Sequence, residues 1–196
     1  MVYSDLENLK DELLEKIQDE DFLNGFTDEL DADQILWAKG PSFTIVPLEF
    51  EMSGVKPAKV LVKEPQNKKN VTKNYLLNGR VIKIEVFNSN AVLHEVEFFR
   101  FSDYKTYSLR KNKYEEIVWL KAAEYAEREV VRACRVDMDM EYWAYRYSWS
   151  ANRVGEIASF ASNGVAGVVI NAEYDKDGSI VRLFFIAEGR EVNIYP

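Results

Sequence analysis

Two side chains in this 196-residue chain stand out as candidate nucleophiles or proton carriers near neutral pH, because each occurs once: His94 and Cys134. His94 lies in Ala91-Val92-Leu93-His94-Glu95-Val96. That run reads as a strand, in which His94 shares a face with Val92, Val96 and Phe98. A packed or half-exposed strand histidine is the simpler reading. A Ser-His-Asp triad would rest wholly on His94, with no nucleophile-elbow motif beside it. A Cys134–His94 pair stays open, although Cys134, in Val131-Arg132-Ala133-Cys134-Arg135, reads by default as a small buried cysteine. One histidine and one cysteine cannot build a zinc site from ordinary nitrogen and sulfur ligands. The glycines are scattered singly at turns, without either glycine-rich phosphate motif. Asp175-Lys176-Asp177-Gly178 resembles the start of a calcium loop, but Ile186 stands where the closing glutamate belongs, so a hairpin turn is the better reading. The expectation is a protein that is not an enzyme, with no catalytic residue, metal or cofactor.

The best candidate for a functional surface is residues 135–149. Asp137, Asp139 and Glu141 alternate with Val136, Met138, Met140 and Tyr142. On a continuous strand the three carboxylates share one face. Trp143, Tyr145, Tyr147 and Trp149 continue along it, either as sheet core or as an exposed aromatic interface. Asp137, Asp139, Glu141, Trp143 and Tyr145 are therefore the candidate partner-binding residues. Paired acids beside aromatics also occur in glycosidases, but here they follow one another along a strand instead of facing each other across a cleft.

The elements that must position these residues follow from pattern. Ser4-Asp5-Leu6-Glu7 fits a capping box, and Leu6, Leu9, Leu13 and Ile17 recur at helical spacing, which predicts an amphipathic helix over 5–18. A second short helix is expected over 32–38, stopped by Gly40-Pro41. Phe43–Phe50 and Lys59–Val62 read as short strands broken around Pro47 and Pro57. Gln66–Lys73 reads as a lysine-rich solubilising loop. Residues 114–135 fit either a helical stripe or a strand-turn-strand, and the flanking repeats favour the hairpin.

Those repeats are the clearest feature. Four segments begin at Gly79, Asn112, Asn152 and Gly178, separated by 33, 40 and 26 residues, with apolar positions two, five and eight residues on. Asn78-Gly79 and Asp177-Gly178 are strong hairpin signals, because a type I′ turn needs positive φ at both central residues. Further turns at Asn88-Ser89-Asn90, Ser162-Asn163-Gly164 and Glu188-Gly189-Arg190 fold the chain back about every ten residues, as in an antiparallel meander.

Composition is that of a globular domain, 47% apolar and 30% charged, rich in Tyr and Phe. One cysteine excludes an intrachain disulfide. No secretory signal and no membrane-length apolar run is evident, so a cytoplasmic location is expected. The net charge of −8 is unevenly spread. Residues 1–34 hold twelve acids and two lysines, a charge of −10 that leaves +2 for the rest. That segment is unsuited to nucleic acid and suited to a basic protein, or is simply a solvated helix face.

Tyr174-Asp175-Lys176-Asp177-Gly178-Ser179-Ile180-Val181-Arg182-Leu183 resembles the YD-type repeat of bacterial toxin shells and related β-meander proteins. With the small size and acidic N-terminal helix, residues 75–196 are similar to immunity proteins encoded beside polymorphic toxins. The resemblance implies a stoichiometric inhibitor of a toxin domain and transfers no catalytic residue. The expected fold is α+β: an acidic helical segment over 1–40 packed on a large twisted antiparallel meander over 41–196, in a single domain. The expected function is protein binding, with no nucleic-acid or membrane partner. A small-ligand-binding or enzymatic β-fold, its curled meander enclosing an aromatic-lined pocket, is the alternative.

Overall fold

The computed structural model describes residues 3–27, 31–162 and 167–196. Helix α1 is Ser4–Lys16, α2 is Glu20–Asn24 and α3 is Glu49–Met52. The strands are β1 Gln34–Ala38, β2 Val60–Leu61, β3 Thr72–Leu77, β4 Arg80–Phe87, β5 Leu93–Phe101, β6 Lys105–Asn112 and β7 Ile117–Ala126. They continue as β8 Glu129–Val136, β9 Tyr142–Ser150, β10 Arg153–Ala161, β11 Val168–Tyr174, β12 Ile180–Ala187 and β13 Arg190–Tyr195. Among the described residues these thirteen strands form one open antiparallel sheet. From β3 to β13 consecutive strands pair in sequence order, β1 adds beside β3, and β2 pairs on the outer side of β1. No helix among the described residues is long and apolar enough to cross a membrane.

The hairpin reading of 114–135 holds: β7 and β8 pair from Leu120↔Val136 to Ala126↔Glu129. The repeat spacing of two, five and eight does not match a plain period of two, and β-bulges explain it. In β4, β10 and β12 the extra residue is Ile82, Gly155 and Val181, each three after the aligned Gly or Asn. The bulge brings positions two and five to the same face, so Val81 and Ile84, Val154 and Ile157, and Ile180 and Leu183 enter one core. In β10 position eight then turns to the other face, where Phe160 joins the α1 side; in β7 the bulge lies at Val118 and puts Ile117 and Leu120 on that face together. The Ser162-Asn163-Gly164 turn lies outside the fully described residues.

Helix α1 covers β7, β8 and β9. Its Leu6, Leu9, Leu13 and Ile17 are buried against Leu109, Leu120, Ala122, Cys134, Val136 and Ala144. Burying four such side chains contributes roughly 6–12 kcal/mol as an upper bound. Charge pins the same helix: Glu12 meets Lys105 at 2.6 Å and accepts from Tyr107 Oη at 2.5 Å, while Asp5 lies 3.2 Å from Arg146. Ser4 is not the N-cap; Tyr3 is, and no side chain caps it.

The opposite, inner face is covered by residues 41–55, which overturns the strand expected over 43–50. Pro47 and the left-handed Leu48 (φ 60°) break any ladder there, and the segment ends in α3. Ile45 and Val46 enter a core that runs from Leu76 on β3 to Leu183 and Tyr195 on β12 and β13. Helix α3 packs on β13, while its Glu49 pairs with Lys121 on β7. Six strand spacings on a flat sheet span about 29 Å, against about 6 Å for a four-residue helix. The sheet must therefore curve around this segment. The helix expected over 32–38 is also replaced, by strand β1, because Gln34–Ala38 finds a ladder on β3 from Gln34↔Leu76 to Ala38↔Thr72. The 1–40 segment thus contributes a strand as well as helices.

Candidate functional site

The candidate surface around 137–145 is not a continuous strand. Strand β8 ends at Val136 and β9 begins at Tyr142. Between them Asp137 Oδ1 accepts from the backbone N–H groups of Asp139 and Glu141, each at 3.0 Å, and Met140 takes φ 63°. An aspartate that captures nearby backbone donors makes a turn instead of extending a ladder. The three acids therefore do not share a strand face; Asp139 and Glu141 are exposed at a hairpin tip and Asp137 is half-buried at its base.

The tip lies against α1. Gln18 Nε2 reaches Met140 Sδ at 3.4 Å, Lys10 Nζ sits 5.3 Å from the Tyr142 ring, and Asp5 meets Arg146. Strand β9 thus runs antiparallel to the helix. Glu7, Asp11 and Glu15, spaced four apart, are exposed on α1, and Asp19, Glu20 and Asp21 continue beyond it. Met138 and Met140, 54% and 42% exposed, add apolar contact at the tip. The result is an acidic, methionine-bearing surface built from two segments more than a hundred residues apart. Sequence reasoning found the acids of each segment but not their meeting.

Trp143 and Tyr145 take the other direction, to the inner face. Tyr145 packs against the core, and burial pushes its hydroxyl pKa up, with Glu49 adding to the effect. Tyr147 is buried and donates to the Pro47 carbonyl at 3.1 Å, and Trp149 Nε1 donates to the Val130 carbonyl at 2.7 Å. The aromatic row from Tyr145 onward is core. Trp143 stays half-buried under the Arg135 guanidinium, 4.0 Å from its ring centre.

Beside them lies a charge ladder that composition alone does not reveal. Glu97 accepts from Ser108 Oγ at 2.6 Å and from Arg110 Nε and Nη2 at 3.0 and 2.6 Å. Arg110 also donates to Glu95 at 3.0 Å and stacks on Trp119 at 4.2 Å. Lys121 Nζ lies 2.7 Å from Glu49 and 3.9 Å from Glu97, and Arg135 is 3.8 Å from Glu49. Three carboxylates thus face three cations. Burial raises the Glu97 pKa, but Arg110, Lys121 and the hydrogen bonds outweigh it and hold it at about 2. Glu49 of α3, held between Lys121 and Arg135, ties that helix to the ladder.

Cys134 is buried beneath α1 and burial pushes its thiol pKa up. It faces away from the inner side. His94 lies near the other rim of the sheet, exposed, 3.7 Å from Glu95. No contact between the two residues is present, so the Cys134–His94 pair is not formed. Among the described residues, no three His, Cys, Asp or Glu side chains converge to hold a metal ion. Asp175 Oδ1 accepts from the N–H groups of Asp177 and Ser179, which makes its segment a hairpin turn.

No family model, curated protein or solved structure matches this chain. The functional reading rests on the geometry above.

Proposed function

We propose that the chain is a protein-binding module whose acidic face receives a basic partner, acting as a cytoplasmic immunity protein that neutralises a bacterial toxin domain. The observation that carries the binding role is the junction of the α1 acid row with the Met138–Glu141 tip through Gln18 and Met140. Like charges four apart on a helix destabilise it by about 0.2–0.5 kcal/mol per pair. Glu7 in the first turn favours the helix dipole and Asp11 pairs with Lys10, but the row Glu7, Asp11 and Glu15 repels itself along α1, whereas it accelerates encounter with a positive surface. Exposed methionines adapt to varied apolar contacts. A toxin domain that acts on nucleic acid carries the complementary charge. The immunity role is supported by the repeat resemblance and by this charge match.

The test begins with a tagged chain captured from its native lysate, followed by affinity titration of the recovered partner. Reversal of Asp11, Asp139 and Glu141 to lysine should weaken binding by about tenfold or more at low salt, and less at high salt. Co-expression with the partner should restore growth that the partner alone abolishes. An affinity indifferent to both salt and the triple reversal would refute the acidic-face reading. A non-toxic partner would refute the immunity role alone.

A further inference from the structure

The inner face holds a cleft of about 450 Å³ beside the charge ladder, where residues 40–43 pass over β3 and β4. Its walls are mostly apolar, with Phe43, Phe50, Val71, Ile84, Val86 and Phe87, and the polar Ser42, Thr72 and Asn74 that also line it hydrogen-bond to one another. Arg110 closes one side, and Asn70, Ser89 and His94 stand at the exposed mouth. The volume lies within the range of small-molecule sites, and a mostly apolar wall with a few polar groups is their usual make-up.

Three observations separate this cleft from an ordinary surface fold. The first is a bulge. Val86 pairs with Glu95 and Phe87 with Leu93, so His94 is the extra residue of β5. On an unbroken strand His94 would share the α1 face with Val96 and Phe98; the bulge re-aims it to the cleft on the other side. The second is Arg110. Its guanidinium has five donors, and Glu95 and Glu97 occupy three of them. Two N–H groups remain for an acceptor. The third is charge balance. Arg110, Lys121 and Arg135 are matched by Glu49, Glu95 and Glu97, so the wall offers hydrogen bonds without a net charge. The side chains of Asn70 and Ser89 form no hydrogen bond with other described residues, leaving them available at the mouth. By contrast, the cleft bordered by Arg80, Phe101, Asp103 and Arg128 is lined by charged side chains of both signs.

We infer that the His94–Arg110 cleft is a binding site for an uncharged, largely apolar small molecule of two or three rings that carries a hydrogen-bond acceptor. A ligand charged in either sense would lose its hydration in a mostly apolar cleft whose ladder is already neutral and offers no net opposite charge in return. The site lies on the opposite face of the sheet from the acidic surface, so it stands or falls independently of the protein-binding role.

The test uses N-phenyl-1-naphthylamine, an uncharged dye that brightens in apolar sites, and its sulfonated analogue 8-anilino-1-naphthalenesulfonate. The full-length chain should bind the uncharged dye saturably, one per chain, and the sulfonate more weakly. Val86→Trp fills the wall, and Ser89→Trp obstructs the exposed mouth without touching the core. Each should weaken dye binding by about tenfold or more, the cost of excluding one ring from its contacts. Phe101→Ala, in the second cleft, should leave it unchanged. Absence of saturable binding, equal binding by the Ser89→Trp chain, or tighter binding of the sulfonate would overturn the assignment.

Discussion

Replacing Glu97 by glutamine separates the worth of the charge ladder from that of the surrounding core. Glu97 is 1% exposed, and its pKa is held at about 2 against an ordinary 4.5. Burial acts upward, and the nearby Arg110 and Lys121 with the Ser108 hydrogen bond act downward and win. The folded value lies below the unfolded one, so the stabilisation is complete above the unfolded value and is lost as pH falls toward the folded one. The gap corresponds to about 3 kcal/mol at neutral pH, of which about 2 kcal/mol is gone by pH 3. Glu97→Gln keeps the shape and an acceptor for Ser108 but leaves Arg110 with Glu95 alone and Lys121 with Glu49 alone, and should cost about 3 kcal/mol at pH 7. Near pH 3 the two proteins should differ by only about 1 kcal/mol. Urea unfolding followed by tryptophan fluorescence at a series of pH values reads both curves. Other carboxyls, including the depressed Glu12, act alike in both proteins and cancel in the difference. A gap that stays constant from pH 7 to pH 3 would refute the ladder as the source of the acid sensitivity.

Two further outcomes follow from packing and backbone. Leu13→Ala removes a fully buried side chain from the α1 interface and should cost about 2–5 kcal/mol in urea unfolding; maleimide labelling of the sole thiol, Cys134, should accelerate, and an unchanged labelling rate would mean that α1 does not guard it. Gly79→Val (φ 76°, open space) and Gly178→Val (φ 84°, its Cβ 2.8 Å from the flexible guanidinium end of exposed Arg153, which can swing aside) should each cost about 1–2 kcal/mol and lower the thermal unfolding midpoint alike; a much larger fall for Gly178→Val would refute backbone strain as the source of the cost.

Much of the architecture was legible because its instructions are local. Asn78-Gly79 takes positive φ at both residues, as a type I′ turn requires, whereas at Asp177-Gly178 only Gly178 does; that hairpin forms all the same, with Asp175 Oδ1 accepting from the Asp177 and Ser179 N–H groups. The α1 stripe is written at helical spacing within fourteen residues. Strand β1 was not legible, because Gln34–Ala38 is short and becomes a strand only through a partner some forty residues away. The same holds for residues 41–55. Their apolar side chains fill the concave face of a sheet whose curvature no local pattern specifies, so a run with strand composition becomes a covering loop.

The site was less legible than the fold for a related reason. Alternation along 136–142 suggests a strand, but Asp137 competes for the backbone and turns the chain, which splits the candidate surface in two. The acids go to the side of α1 and the rings go to the core. His94 depends on one inserted residue in β5, which reverses the face that its spacing assigns. The ladder is legible only after pairing is known, since Glu97, Arg110, Lys121 and Glu49 lie on four separate elements. Replacing such buried ions by apolar groups of like volume often costs nothing in stability, so stability alone does not account for them. What they do specify is position: Glu49 can meet both Lys121 and Arg135 only if α3 docks at one place on the inner face. Fixing α3 fixes the path of residues 40–50 behind it, and with that path the wall that Phe43 and Phe50 contribute to the cleft. The same ions that stabilise the fold at neutral pH thereby hold a defined space beside Arg110.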